Sequence, residues 1–242
     1  MKCKKTIISV IVLSSLGLNS SIDNAITVKE VKPVIESART ATPKKKVVKS
    51  QPITSDEILY KEELKDIKKK LLKQAKKSNK NANMKMIDFA FESADNRKSM
   101  EKDMNDYLKL VAMHLSIMEI ESNFNNSVIC KNPTTLDIGI MQVNTSVINY
   151  IRKGLKNQYL NPYDLKDNIE MGSYELYTCY KKAKKNHSSN SLWYTYAYYN
   201  RGLYFEKYNW NYNQTNKRSM KFINTFKKYY KCMFKGGAIY EY

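Results

Sequence analysis

The sequence predicts a mainly α-helical domain in which any sheet is minimal. Three observations carry this expectation. Apolar residues recur at three- and four-residue steps in several long stretches. No stretch shows the sustained alternation of half-buried strands. The segments that separate the helical patterns are short, as in compact helical domains.

Taken in order, the chain opens with a charged head, Met1-Lys2-Cys3-Lys4-Lys5, and the apolar run TIISVIVLSSLGL from Thr6 to Leu18. The run has 13 residues, short of the roughly 20 a membrane span needs, and reads as an export signal occupying residues 1–26. Asp23 is unfavourable in a cleavage site at Asp23-Asn24-Ala25, and Ser15-Leu16-Gly17 is the alternative. Left uncleaved, the same run would be the protein's contact with the membrane. An exported chain is expected in the periplasm or cell envelope.

Residues 27–85 form a basic segment with 17 basic and 7 acidic side chains. Its first part, through TATPKKKVVKSQP, lacks periodicity and reads as a linker. From Ser55 the pattern turns helical. Ser55-Asp56-Glu57 supplies an N-cap and early acids, and Leu64, Ile67, Leu71 and Ala75 follow at helical steps. The expected helix packs on the next domain, the alternative being an amphipathic helix at an anionic surface. The stretch KKSNKNAN, Lys76 to Asn83, should end it.

Residues 86–235 are expected to make one compact helical domain, with 236–242 a tail. Met104, Leu108, Val111, Leu115 and Met118 form one stripe. Asn168 to Lys185 and Leu192 to Tyr199 are further helices. Ser219 to Tyr230 places Met220, Phe222 or Ile223, Phe226 and Tyr230 on one face.

Composition narrows the partners. The formal net charge is +19, which favours anionic partners such as nucleic acid, anionic lipid or an acidic wall polymer. Export argues against nucleic acid, although a tyrosine cluster, WYTYAYYNRGLY, could stack bases, sugar rings or other core residues. With no CxxC or HExxH motif and only two histidines, His114 and His187, no metal or cofactor site is expected. Beyond the signal, Cys130, Cys179 and Cys232 remain, and an oxidising compartment would allow two of them to pair.

The end of the long stripe, IMEIESNF from Ile117 to Phe124, places two acids in an apolar run. On a helix Glu119 and Glu121 lie about 200° apart. Glu121 continues the stripe from Met118, and Glu119 turns away from it. A carboxyl at the edge of an apolar face is partly desolvated, which favours its protonated form and suits a general acid. The competing reading is a carboxylate that caps the helix or pairs with a lysine.

Three later blocks bear on that choice. They are Gly139-Ile140-Met141-Gln142-Val143-Asn144, Asn168-Ile169-Glu170-Met171-Gly172-Ser173-Tyr174-Glu175-Leu176, and Ala197-Tyr198-Tyr199-Asn200-Arg201-Gly202. With Glu121-Ser122-Asn123-Phe124 before them, their order resembles the catalytic domain of soluble lytic transglycosylases, which share the goose-type lysozyme fold. The resemblance spans roughly residues 100–232. The Asp137-to-Asn144 block is most similar to the specialised branch that accompanies envelope-spanning secretion and conjugation machines.

The resemblance implies a lysozyme-like helical domain with a substrate cleft between lobes, acting on peptidoglycan glycan strands. It implies Glu121 as the single catalytic acid/base, with Ser122 shaping the site. Gly139, Met141, Gln142 and Asn144 belong to the implied sugar-binding segment. Tyr199 matches the tyrosine whose hydroxyl approaches the catalytic carboxylate, and Asn200 the neighbouring polar wall. Asn168 and Gly172 are expected to serve helix entry and close packing. Ile140, the extra aromatic Tyr198 and Arg201 depart from the usual pattern without removing a group the reaction needs. The implied product is a 1,6-anhydro sugar. Two alternatives stay open: a lysozyme-type hydrolase in which Asp137 positions a water, and a non-catalytic wall-binding scaffold protein of a secretion apparatus.

Overall fold

The long apolar run before Glu121 becomes a helix buried on all sides. It is helix α3, Met104–Ser122, and every residue from Val111 to Met118 is 0% exposed. A helix that is apolar around most of its circumference belongs at the centre of a domain. The computed structural model describes residues 55–98, 104–207 and 211–234. The expected signal, the linker up to residue 54 and the tail lie outside these residues. Among the described residues no helix is long and apolar enough to cross a membrane.

The neighbours of α3 are α1, Ser55–Ser78, α2, Met84–Lys98, α5, Leu165–Asn186, and α7, Tyr212–Met233. Helix α6, Ser191–Arg201, packs between α5 and α7. The short helix α4, Ile148–Leu155, lies against α5. The expected helices therefore form, with two differences. Helix α1 continues through Lys76 and Lys77 to Ser78. On α7, Phe222, Phe226 and Tyr230 are buried as expected, but Met220 is 44% exposed. The buried face of α7 runs through Thr215, Ser219, Phe222, Phe226, Tyr229 and Met233, and Met220 falls about 100° from Ser219 around it.

Helix α1 joins the same core: Leu71 and Ala75 are both 0% exposed. Complete burial of a leucine is worth about 2 kcal/mol, which holds the lysine-rich helix on α2 and α7.

Two polar side chains cross the core without orphaned atoms. His114 hydrogen-bonds through Nδ1 to the Ala90 carbonyl at 3.1 Å and through Nε2 to the Ser173 hydroxyl at 2.8 Å. The carbonyl can only accept, so Nδ1 carries the proton and Nε2 accepts from Ser173. One imidazole thus ties α2, α3 and α5 together.

The only sheet among the described residues has three short antiparallel strands, β1 (Ile129–Lys131), β2 (Leu136–Ile138) and β3 (Val143–Asn144), in that order. Asp137 pairs with Cys130 on one side and Asn144 on the other. Cys179 and Cys232 are free thiols, so no disulfide joins two of Cys130, Cys179 and Cys232, a pairing the sequence had left open. Both lie on helices whose burial already fixes them, Cys179 in α5 and Cys232 in α7.

Candidate active site

Glu121 sits in the last turn of α3, 7% exposed. The helix ends immediately after it because Asn123 and Phe124 both take left-handed backbone angles, φ 53° and 56°. The Phe124 amide reaches back to the Met118 carbonyl at 3.0 Å, and the Ser122 hydroxyl donates to the same carbonyl at 2.9 Å. These bonds satisfy a helix end that would otherwise present orphan carbonyls. They also commit the Ser122 hydroxyl to its own helix.

The Tyr196 hydroxyl donates to Glu121 Oε1 at 2.8 Å. Burial, and next the charge of Glu121, push the Tyr196 phenol well above its ordinary range, so it keeps its proton and stays the donor. Tyr196 stacks on Phe222 of α7 with ring centroids 5.2 Å apart, which fixes the phenol.

The contact expected of Tyr199 is thus made by Tyr196. Tyr199 donates instead to the Met141 carbonyl at 2.7 Å. The two tyrosines are three residues apart on α6 and point to nearly the same side. That spacing was a signal in the sequence, and it shows how easily one could stand for the other. Burial raises the Tyr199 phenol, followed by the charges of Glu175 and Glu121.

The turn from Gly139 to Gln142 is held by Asn168. Its amide nitrogen donates to the carbonyls of Ile138 at 2.8 Å and Pro162 at 2.7 Å, and its oxygen accepts from the Met141 amide at 2.9 Å. Gly139 takes φ +75°, and a Cβ there would fall 2.4 Å from the Asn168 side-chain nitrogen. At Gly172 a Cβ would fall 2.4 Å from the Met141 Cβ. Met141 is 0% exposed, packed under Gly172 as part of the support of the turn. Asn168 and Gly172 serve close packing, as expected.

Gln142 is a non-glycine residue at φ 53°. Its Nε2 donates to Gly139 O at 2.8 Å and Val128 O at 3.0 Å, which fixes the amide's orientation. Its Oε1 is buried without a protein partner. Asn200, 3% exposed, shows the complement: Oδ1 accepts from Arg218 at 3.3 Å, and Nδ2 is buried without a partner. One acceptor and one donor are therefore left with bonding capacity, and a buried polar atom that stays unpaired costs about 1–3 kcal/mol.

Asp137 is 1% exposed. Its Oδ1 accepts from Asn144 at 2.7 Å and its Oδ2 from Asn132 at 3.1 Å. Asn144 is itself saturated: its amide also donates to Thr135, and its oxygen accepts from the Ser146 amide and hydroxyl. The pair braces the small sheet.

Glu119, turned away from Glu121 as its position requires, accepts from Lys228 through both oxygens, at 2.7 and 2.6 Å, and from Tyr229. It fastens α3 to α7. Neither α7 partner was predicted, because the pairing spans 109 and 110 residues.

Residues 98–223 match the family model described as Transglycosylase SLT domain. No curated protein and no solved structure gives a significant match to the chain.

Proposed function

The chain belongs to the Transglycosylase SLT domain family, and on that premise we propose that it is a peptidoglycan lytic transglycosylase with Glu121 as its sole acid and base. The observation that carries this reading is the buried Glu121 carboxyl, held by the Tyr196 hydroxyl at the end of the central helix.

In this mechanism neutral Glu121 donates its proton to the glycosidic oxygen that leaves C1 of N-acetylmuramic acid. The sugar's own acetamide stabilises the cationic centre, a form of substrate assistance. The resulting carboxylate, stabilised by Tyr196, then takes the proton of the C6 hydroxyl. The C6 oxygen closes on C1, giving the 1,6-anhydro sugar and returning Glu121 to its neutral form. No water is consumed. Gln142 and Asn200 are assigned to the wall that receives the hydroxyl and amide groups of the glycan. Ser122, Gly139, Met141, Asn144 and Tyr199 shape and support the wall on which they sit.

The rival reading, a hydrolase in which Asp137 positions water, has weaker support. Both Asp137 oxygens already accept from side-chain amides within the sheet. The scaffold reading is disfavoured by an intact Glu121–Tyr196 pair. From the Asp137-to-Asn144 block we further assign the enzyme to local wall remodelling around an envelope-spanning secretion or conjugation apparatus, outside the cytoplasm.

Mass spectrometry of peptidoglycan digests tests the mechanism. Wild type should release anhydro-muropeptides, and Glu121→Gln should lose activity by about 100-fold or more. Equal digestion by both proteins would remove Glu121 from its role, and reducing ends in place of anhydro ends would establish hydrolysis.

A further inference from the structure

Helix α7 carries six basic residues and no acidic one over 22 residues, and the second half of α1, residues 67–78, carries six lysines and no acid. The two helices pack against each other. Asp88, Asp66 and Glu119 answer Lys68, Lys69 and Lys228; the other basic residues leave the face with one sign, which attracts anionic partners.

The face is joined at one end to the active site. Arg218 donates to Asn200 Oδ1 at 3.3 Å, and Asn200 belongs to the same helix as Tyr196. Along α7 from Arg218, Lys217 and Lys221 are exposed, and neither makes an ion pair among the described residues. One turn beyond Thr225, Lys228 reaches Ser78 of α1 at 2.9 Å while holding Glu119. Lys77 adjoins Ser78, and Lys70 lies about two turns before Lys77 on the same side of α1; both are exposed. Arg218, Lys221 and Lys228 line one groove along α7, and the Lys228–Ser78 bond brings the end of α1 that carries Lys77 beside it. The α7 part alone, Arg218 to Lys228, is about 15 Å long at the helical rise.

We propose that this face is a binding track for the carboxylates of the peptide stems carried by the same glycan strand that Glu121 cleaves. The proposal rests on the peptidoglycan reading above. A strand seated at Asn200 and Gln142 continues beyond the scissile bond, and its peptide stems bring repeated carboxylates to whatever surface adjoins the site. The exposed ammoniums of Lys217, Lys221, Lys77 and Lys70 meet that chemistry, whereas an uncharged glycan gains nothing from them. The track would add affinity and keep the enzyme on a strand between cleavages, with an attraction that salt screens.

Binding can be measured apart from catalysis, in the full-length Glu121→Gln protein, by co-sedimentation with purified sacculi. The parent should pellet with peptide-bearing sacculi at low salt and be released as salt rises. Adding Lys217→Gln, Lys221→Gln, Lys70→Gln and Lys77→Gln should weaken that binding roughly tenfold, the scale expected when several exposed ion pairs are lost. It should leave binding to sacculi stripped of their peptides unchanged. Circular dichroism verifies that the four-lysine variant is folded. Equal binding of parent and variant to peptide-bearing sacculi would overturn the track. So would equal losses on both kinds of sacculi, or lysine-dependent binding to anionic phospholipid vesicles in place of sacculi. None of these outcomes depends on whether Glu121 is the catalytic acid, which the digests decide separately.

Discussion

Tyr196 holds Glu121 across 2.8 Å, a bond between α6 and the end of α3 that spans 75 residues of sequence. Removing the hydroxyl should therefore act on the chemistry. Tyr196→Phe is expected to lower kcat roughly ten- to a hundredfold, the range of one hydrogen bond to a charged group. Tyr199→Phe should act differently. It strips the Met141 carbonyl of its partner and loosens the turn, costing about 1–3 kcal/mol of stability with a smaller effect on kcat. Steady-state kinetics and thermal melts on the two variants separate these outcomes, and a larger kcat loss for Tyr199→Phe would reverse the assignment.

Asp137 is read as a brace. Asp137→Asn turns one accepting oxygen into a donor that faces the amide of Asn132 or Asn144. Stability should fall by about 1–3 kcal/mol. The released sugars should remain 1,6-anhydro forms in both proteins. A wild type that releases reducing ends, with loss of those ends in Asp137→Asn, would make Asp137 the residue that handles water.

Gly139 is fixed by two independent constraints. Its φ is +75°, and a Cβ would intrude on Asn168. Gly139→Ala should destabilise the protein by at least about 2 kcal/mol, from left-handed strain and displacement of the Asn168 clamp. Urea unfolding measures it, and a midpoint matching wild type would show that the turn adapts freely.

His114 makes stability depend on pH. Burial, reinforced by Arg97, lowers its pKa to about 4, against an ordinary 6.5. Between these values the unfolded chain binds a proton that the folded one refuses. Stability from this group is therefore complete above pH 6.5 and falls as the pH drops towards 4, by up to about 3 kcal/mol. Chemical denaturation across this window should show stability rising with pH. In His114→Gln, although less stable overall, that slope should flatten, and an unchanged slope would assign it to other groups.

The helical pattern of this protein was legible because apolar side chains at three- and four-residue steps need only local geometry. The stripe ending at Met118, the α5 and α6 patterns and the buried part of α7 all appeared where periodicity placed them. Helix α3 proved more deeply buried than a stripe suggests, since burial on the remaining faces comes from α1, α2, α5 and α7. The minimal sheet was expected only as an absence of long strands, because eight residues in three strands carry too little alternation to read.

The separation of Glu119 from Glu121 followed from the sequence alone, since 200° of helix rotation needs no partner. What each acid then does was decided by tertiary structure. Glu119 meets Lys228 and Tyr229, and Glu121 meets Tyr196, through contacts across 75 to 110 residues. The order of the motif blocks pointed to the candidate site, but which tyrosine bonds to Glu121 turned on how α6 is rotated against α3 and the Gly139 turn. That rotation is set by the packing of Tyr196 on Phe222 and by the bond from Tyr199 to Met141. Periodicity is a local property and survives in one dimension. The pairing of a carboxyl with a hydroxyl depends on side-chain positions that exist only once the helices have packed.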